Sequence, residues 1–318
     1  MDDGRNTVLI FDKHFPEAAN YQPGHYLYYT PEHLVTQTNQ TIFSCFLLQC
    51  ESSDVVAELH CTSADGVNWV CPPRSPFGGI QLGKRCANSD LFFFLNTIKM
   101  WIETQSGKKL TIKTAPTCYD PGIHTILHDV YNNTDNCELC TISNQHIPIT
   151  PSNFLSGIHL SEKRRLKKCL NAGFEAGLTN QLTAKQCYDF LLKCRTTKGY
   201  QISVSNNELE VLLTQFPNDF LIFTATKNNE IIALVIVVRV NEKVLYTFLS
   251  SYLPDFATFS PIVFLTQKIY EYGQQNGFKI LDLGTSLDHL GTHKESLSRF
   301  KRNLGAETSE KVTYHFTW

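Results

Sequence analysis

Apolar and polar residues alternate with a period of two, enriched in β-branched side chains, over Thr41 to Cys50, Asp54 to Thr62 and Gly66 to Cys71, the pattern of half-buried strands. A loop rich in Pro and Gly follows. The period then lengthens: a helix is expected from Ser89 to about Gln105, a strand over Lys108 to Thr114, a helix over about Gly122 to Tyr131, and a strand over Glu138 to His146. The second half repeats the order. Strands are expected at Asp219 to Thr226, Glu230 to Val240 and Lys243 to Ser250, and Ser260-Pro261 starts a helix running to about Gln275. Phe278 to Gly284 reads as a strand, Thr292-His293-Lys294-Glu295 as a capping box opening a helix to about Asn303, and Lys311 to Phe316 as a closing strand.

Each half therefore reads β-β-β-α-β-α-β. Phe94-Leu95 and Phe264-Leu265 stand 170 residues apart (264 minus 94), and so do Gln105-Ser106-Gly107 and Gln275-Asn276-Gly277, which points to a duplicated α/β unit. Between the copies lies a helical section. Ser161 opens an amphipathic helix with the apolar stripe Leu166, Cys169, Leu170 and Phe174; Thr183-Ala184-Lys185-Gln186 and Ser205-Asn206-Asn207-Glu208 cap two more. Pro148, Pro151 and Gly157 interrupt regular structure over Ile147 to Leu160. The expected domains are residues 1–150 and residues 151–318, the latter including the helical section.

Composition narrows the function classes. With 28 Lys plus Arg against 30 Asp plus Glu, the formal charge of -2 gives no global field for polyanions. The longest aliphatic run, Ile231 to Val238, is far shorter than the roughly 20 residues of a membrane span. The acidic start Met1 to Arg5 leads into a strand-like stretch rather than the apolar core of a secretory signal, and a cytoplasmic location is expected. Eleven cysteines lie mostly in apolar runs and read as buried free thiols. Cys137-Glu138-Leu139-Cys140 alone has ligand spacing, with His146 as a conceivable helper, but no second pair completes a zinc set, and no metal is expected. His124/His128 and His289/His293 share helix faces without the Glu of His-Glu-x-x-His, and read as solvated histidines.

Three short motifs occur in order in the second half: the basic helix Lys163-Arg164-Arg165-Leu166-Lys167-Lys168, the strand Ile280-Leu281-Asp282-Leu283-Gly284, and Leu297-Ser298-Arg299-Phe300-Lys301-Arg302-Asn303-Leu304-Gly305 with its Phe-Lys-x-x-x-Gly ending. In the first half Arg74-Ser75-Pro76-Phe77-Gly78-Gly79-Ile80 forms a Pro/Gly loop. With the doubled order of elements, these resemble the Fem-type (FemAB-like) aminoacyl or N-acyltransferases, two GNAT (N-acyltransferase) folds in tandem. The resemblance implies an α/β fold with mixed sheets and transfer of an acyl group to an amine of a small or precursor molecule. The donor implied is aminoacyl-tRNA or acyl-CoA, with no bound prosthetic group. One departure bears on the donor. GNAT enzymes that use acetyl-CoA carry a glycine-rich segment that holds the pyrophosphate on bare backbone N–H groups, whereas the second copy has Ser251-Tyr252-Leu253-Pro254-Asp255-Phe256-Ala257. An ordinary CoA cradle is not expected there, and Fem-type proteins share this departure because charged tRNA is their donor.

Acyl transfer to an amine asks for a deprotonated nucleophile, polarisation of the carbonyl and alignment of both substrates. The resemblance assigns Lys301 to the transferred group or its phosphate, aimed across the open end of the sheet toward the cleft and worth little to folding; the alternative is one more lysine on a helix ending in Lys-Arg-Asn. Asp282 alternates against its apolar neighbours and either orients the amine, takes its proton, or anchors the Gly284-Thr285 turn. Tyr246 and Ser250 lie on the strand expected to splay from Asp282, where either hydroxyl can donate to an oxyanion or serve as an ordinary strand residue. Phe300 is a stacking platform or core. Arg74, Phe77, Gly78 and Gly79 offer backbone approach to a ligand or a tight turn. The basic run at 163 to 168 meets phosphates or is a solvated face. A non-catalytic ligand-binding or scaffold protein is the competing reading, and a thiol or metal protein built on Cys137 and Cys140 a third.

Overall fold

Strands form where period-two alternation was read, and the long apolar run becomes the most buried of them. The computed structural model describes residues 4–12, 26–37, 40–83, 86–196, 202–288 and 290–318; His289 lies outside the described residues. Two compact units are present, Met1–Ile142 with Glu310–Trp318, and Ser143–Ser309.

The first unit runs β1 (Asn6–Asp12), α1 (Pro31–Leu34), β2 (Phe43–Gln49), β3 (Val55–Ser63), β4 (Asn68–Cys71), β5 (Gln81–Leu82), α2 (Asn88–Thr104), β6 (Lys109–Lys113), α3 (Pro121–Asn132) and the start of β7 (Cys137–Pro148). Its strands are ordered β1-β2-β3-β4-β6, with the last strand of the chain, β13 (Glu307–Thr317), on β6 and β5 on β3. The β4–β6 pair is parallel and the β6–β13 pair antiparallel. Leu91, Phe94, Leu95, Ile98 and Ile102 of α2 are fully buried, the i, i+3, i+4, i+7 stripe of a helix packed on a sheet.

The second unit continues through α4 (Phe154–Gly157), α5 (Leu160–Asn171), β8 (Glu175–Thr179), α6 (Ala184–Thr196), α7 (Asn206–Gln215), β9 (Phe220–Lys227), β10 (Glu230–Arg239), β11 (Val244–Tyr252), α8 (Pro261–Gln275), β12 (Ile280–Thr285) and α9 (Glu295–Asn303). Strand order is β7-β12-β11-β10-β9-β8. Ile232 to Val238 of β10 are all buried, because a strand covered on both faces needs no polar side. Among the described residues no helix is long and apolar enough to cross a membrane.

Three findings amend the expected order. Each copy begins one strand earlier, so the order is β-β-β-β-α-β-α-β. The added strand of the second copy, β8, is an edge strand with no alternation (Glu175-Ala176-Gly177-Leu178-Thr179), and so gave no period-two signal. Equivalent strands start 169 (Glu175 against Asn6) to 177 (Phe220 against Phe43) residues apart. Second, α9 starts at Glu295 and the box at Thr292 does not form. Instead Leu287 pairs with His293, Lys294 N–H donates to Ser286 O at 2.8 Å, and the Asp288 carboxylate accepts from the N–H groups of Leu290 and Thr292, both at 2.9 Å. The boxes at Thr183/Gln186 and Ser205/Glu208 do form. Third, β13, read as the closing strand of the second half, packs with the first unit: Thr313–Thr317 pair with Lys113–Lys109. Reciprocally, Asn144–Pro148 of β7 pair with β12. Each unit is closed by a strand from the other half of the sequence.

Gly305, the last residue of the Phe-Lys-x-x-x-Gly motif, has φ +83°, and a Cβ there would stand 2.8 Å from Gly157 O. Gly305→Ala is expected to lose about 2 to 4 kcal/mol, left-handed strain plus a backbone clash. Urea denaturation measures it; a loss under about 0.5 kcal/mol would show that the closure relaxes freely.

Candidate active site

Parallel pairing between β11 and β12 covers only Val244–Tyr246 against Ile280–Asp282. Beyond that point the strands part, and Thr247 Oγ1 donates to Asp282 O at 2.6 Å at the fork. Three side chains sit in one row there. Asp282 is directly opposite Tyr246 on β11 and His146 on β7, and residues in register share a sheet face.

Asp282 is 1% exposed. Its Oδ1 accepts from Asn144 Nδ2 at 2.8 Å and from Gly284 N at 2.7 Å. The second bond closes a side-chain turn around Gly284, whose φ is +72° and which falls at an irregularity in the β12–β7 ladder. The bond to Gly284 N is the anchoring role expected of Asp282. Tyr246 is half-buried; burial, then the Asp282 charge, holds its phenol protonated far above the ordinary range. The left-handed φ of Gly284 is what calls for glycine; a Cβ there would meet Tyr246 Cε2 at an ordinary contact distance of 3.4 Å.

Lys301 projects inward from α9, whose buried positions are Ser298 and Lys301, an i, i+3 pair that is polar where a packed helix usually places apolar residues. Its Nζ donates to Gly284 O at 2.9 Å and Thr285 O at 2.7 Å, and the residue is 6% exposed. Burial lowers its pKa to about 8, opposed by the Asp282 charge. An open position with little weight in folding was expected; the amine instead binds two backbone carbonyls at the Gly284 turn. Gln145 extends the network, donating from Nε2 to Ser298 O at 3.0 Å and accepting from Ser286 Oγ at 2.6 Å.

Asp282, Lys301 and Tyr246 therefore come together in the second unit. Ser250 lies further along β11 and is exposed, and Phe300 packs half-buried against the core. Arg74, Phe77, Gly78 and Gly79 belong to the first unit. Arg74 is exposed, while Phe77, 1% exposed, meets Tyr26, Tyr28 and Tyr119 edge-on. Gly78 N donates to Lys113 O, and a Cβ on Gly78 would be 2.8 Å from the Tyr29 hydroxyl, which donates to Gly79 O. Close packing calls for glycine at 78 and a left-handed φ of +94° at 79.

Asn144, Gln145 and His146 were not singled out for this site. They carry a signal, three consecutive polar residues on a strand that leads into Ile147 and Ile149, and all three are buried. His146 was weighed only beside the cysteine pair. Cys137 and Cys140 are three apart on a strand, which turns their thiols to opposite faces. Six of the eleven free cysteines are buried.

At Ser251 to Ala257 the end of β11 passes into a short 3-10 turn, Pro254–Phe256. Phe256 and Phe259 join Phe174 around the Lys227 amine, 5.7 to 5.9 Å from the three ring centroids. Lys168, from the basic run, lies 4.4 Å from the Phe259 centroid and donates to Thr258 O at 3.3 Å, and Arg165 pairs with buried Glu162 at 3.0 Å. Part of the basic run thus holds the fold.

Residues 162–302 match the family model described as an acetyltransferase (GNAT) domain. No curated protein matches the chain in sequence. Among solved structures the chain is similar to FemX (10% identity, TM-score 0.68, 93% of each chain covered). It is similar to L-PGS from Bacillus licheniformis (10% identity, TM-score 0.58, 92% of this chain and 88% of that one). A third is a tandem GNAT protein from the clavulanic acid biosynthesis pathway (9% identity, TM-score 0.55, 98% of each). Residues 162–302 thus resemble a GNAT domain, and with the order of elements described above the likeness to these structures shows a fold of the tandem GNAT type.

Proposed function

We propose that the protein transfers an acyl or aminoacyl group from a carrier to a primary amine at the fork between β11 and β12. The observation that carries this reading is the meeting of buried Asp282, buried Lys301 and the Tyr246 hydroxyl where the parallel pair opens. A pKa of about 8 leaves Lys301 mostly charged at neutral pH, a fixed cation beside the position where negative charge builds on the carbonyl oxygen or rests on a donor phosphate. The Tyr246 phenol stays protonated and donates to the same oxygen, and Asp282 orients the amine. Two substrates held in this way react without a covalent enzyme intermediate.

The donor that fits best is aminoacyl-tRNA. The segment Ser251 to Ala257 lacks glycine and ends in the Phe256 ring beside Lys227, so it lacks the bare backbone that a pyrophosphate needs. Isothermal calorimetry is expected to show no CoA binding tighter than about 1 mM, ~4 kcal/mol; tight binding lost on substitution within 251–257 would reverse this choice of donor.

The direct test incubates the protein with tRNA charged with labelled amino acids, or with labelled acetyl-CoA, and a panel of primary amines. Label is expected to pass from tRNA to an amine as an amide. The competing reading, a non-catalytic ligand-binding or scaffold protein, draws on the bonds that Asp282 and Lys301 already make inside the protein. It prevails if no donor supports transfer while an amine or nucleotide-linked compound still raises the melting temperature.

A further inference from the structure

We propose that His146 is the general base of this site, a role that rests on the transfer reading. It stands opposite Asp282 in the β7–β12 register, in the row that Tyr246 completes. The residue is 8% exposed, and its Nδ1 is buried with no hydrogen-bond partner among the described residues. A buried ring nitrogen without a partner is costly, and a substrate N–H, directly or through one water, supplies what it lacks. Its Nε2 lies 3.9 Å from the Glu307 carboxylate. Burial lowers the pKa of His146, and the charges of Asp282 and then Glu307 oppose that. The imidazole is thus neutral at rest, with two carboxylates at hand to stabilise the cation it becomes, which are the two properties a base at neutral pH requires. Lys301, the remaining charged group of the site, is turned to the carbonyls of Gly284 and Thr285.

In the step itself the amine nitrogen bonds to the acyl carbon and the carbonyl pair moves onto oxygen. His146 Nδ1 takes the proton from the new N–H⁺. When the tetrahedral species collapses, the bond to the carrier oxygen or sulfur breaks, the carrier leaves with the electron pair, and the imidazolium returns the proton to it. Amine and acyl carrier become amide and free carrier, with no oxidant or cofactor consumed.

Two measurements test this. Proton NMR of the free protein follows the His146 ring: it is expected to titrate below 6.5, and lower still in Asp282→Asn and Glu307→Gln. Transfer from charged tRNA to the amine panel is then compared across pH. His146→Gln is expected to lose roughly 100-fold or more in kcat with the acid limb of the profile abolished, while Glu307→Gln only shifts that limb. Full activity with an unchanged acid limb in His146→Gln, alongside collapse in Lys301→Ala, overturns the base assignment and leaves the transfer reading standing. Indifference to all three substitutions, or absence of transfer by the parent protein, overturns both. A His146 ring that titrates above 6.5 and ignores Asp282→Asn removes the geometric basis independently of any assay.

Discussion

Lys301→Ala is expected to lower the turnover of acyl transfer about 30 to 1000-fold, or about 2 to 4 kcal/mol of transition-state stabilisation, and also to lower stability. The amine binds Gly284 O and Thr285 O at the end of β12, so its removal takes a charged donor from two carbonyls, at a cost of about 1 to 3 kcal/mol. Equilibrium denaturation reads the second effect and single-turnover transfer the first. A stability loss without a kinetic one would make Lys301 a structural tie alone. The dependence on pH separates the charge from the packing. Folding lowers the pKa of Lys301 from 10.5 to about 8, so between those values the unfolded chain binds the extra proton and native stability rises with pH. The parent protein should therefore gain up to ~3 kcal/mol relative to Lys301→Met between pH 8 and 10.5. A constant gap across that range would mean that the amine is not desolvated.

Asp282→Ala is expected to be the more destabilising change, about 2 to 4 kcal/mol, because the Asn144 amide and the Gly284 N–H both lose their acceptor in a place that water does not reach. Asp282→Asn keeps an acceptor for Gly284 and should lose less, about 1 to 2 kcal/mol. It also removes the charge that opposes desolvation of Lys301, so the lysine should titrate below 8 in this variant. NMR of the lysine Cε and Nζ resonances follows that shift. An unmoved lysine in Asp282→Asn would mean that the two groups do not sense one another, and the site would lose its electrostatic unity.

Local chemistry was legible wherever one face of an element decided it. The α2 stripe from Leu91 to Ile102, the caps at Thr183 and Ser205, and the apolar length of β10 all follow from burying one side or both. The alternation around Asp282 and the resemblance carried by Phe300-Lys301 marked two of the residues that meet at the fork, and Tyr246 was marked by its place on the neighbouring strand. Elements without such a face were missed or misplaced: β8 is an edge strand, and Thr292 is drawn into the turn built on the Asp288 carboxylate rather than capping α9.

The sequence by itself determined two copies of a mixed α/β unit about 170 residues apart, a fork strand bearing a carboxylate, and a lysine one helix later. Tertiary structure alone decided which strands close each unit. Residues 313–317 pair with residues 109–113 and residues 144–148 with the β12 strand, and pairing across such separations leaves no periodicity, since alternation records burial and not the partner. Asn144, Gln145 and His146 reach Asp282 only through that exchange. For the same reason the depth of Lys301 was invisible: Arg299 and Arg302 near it are exposed and Phe300 is only half-buried, and the carbonyls that hold its amine, those of Gly284 and Thr285, belong to another element.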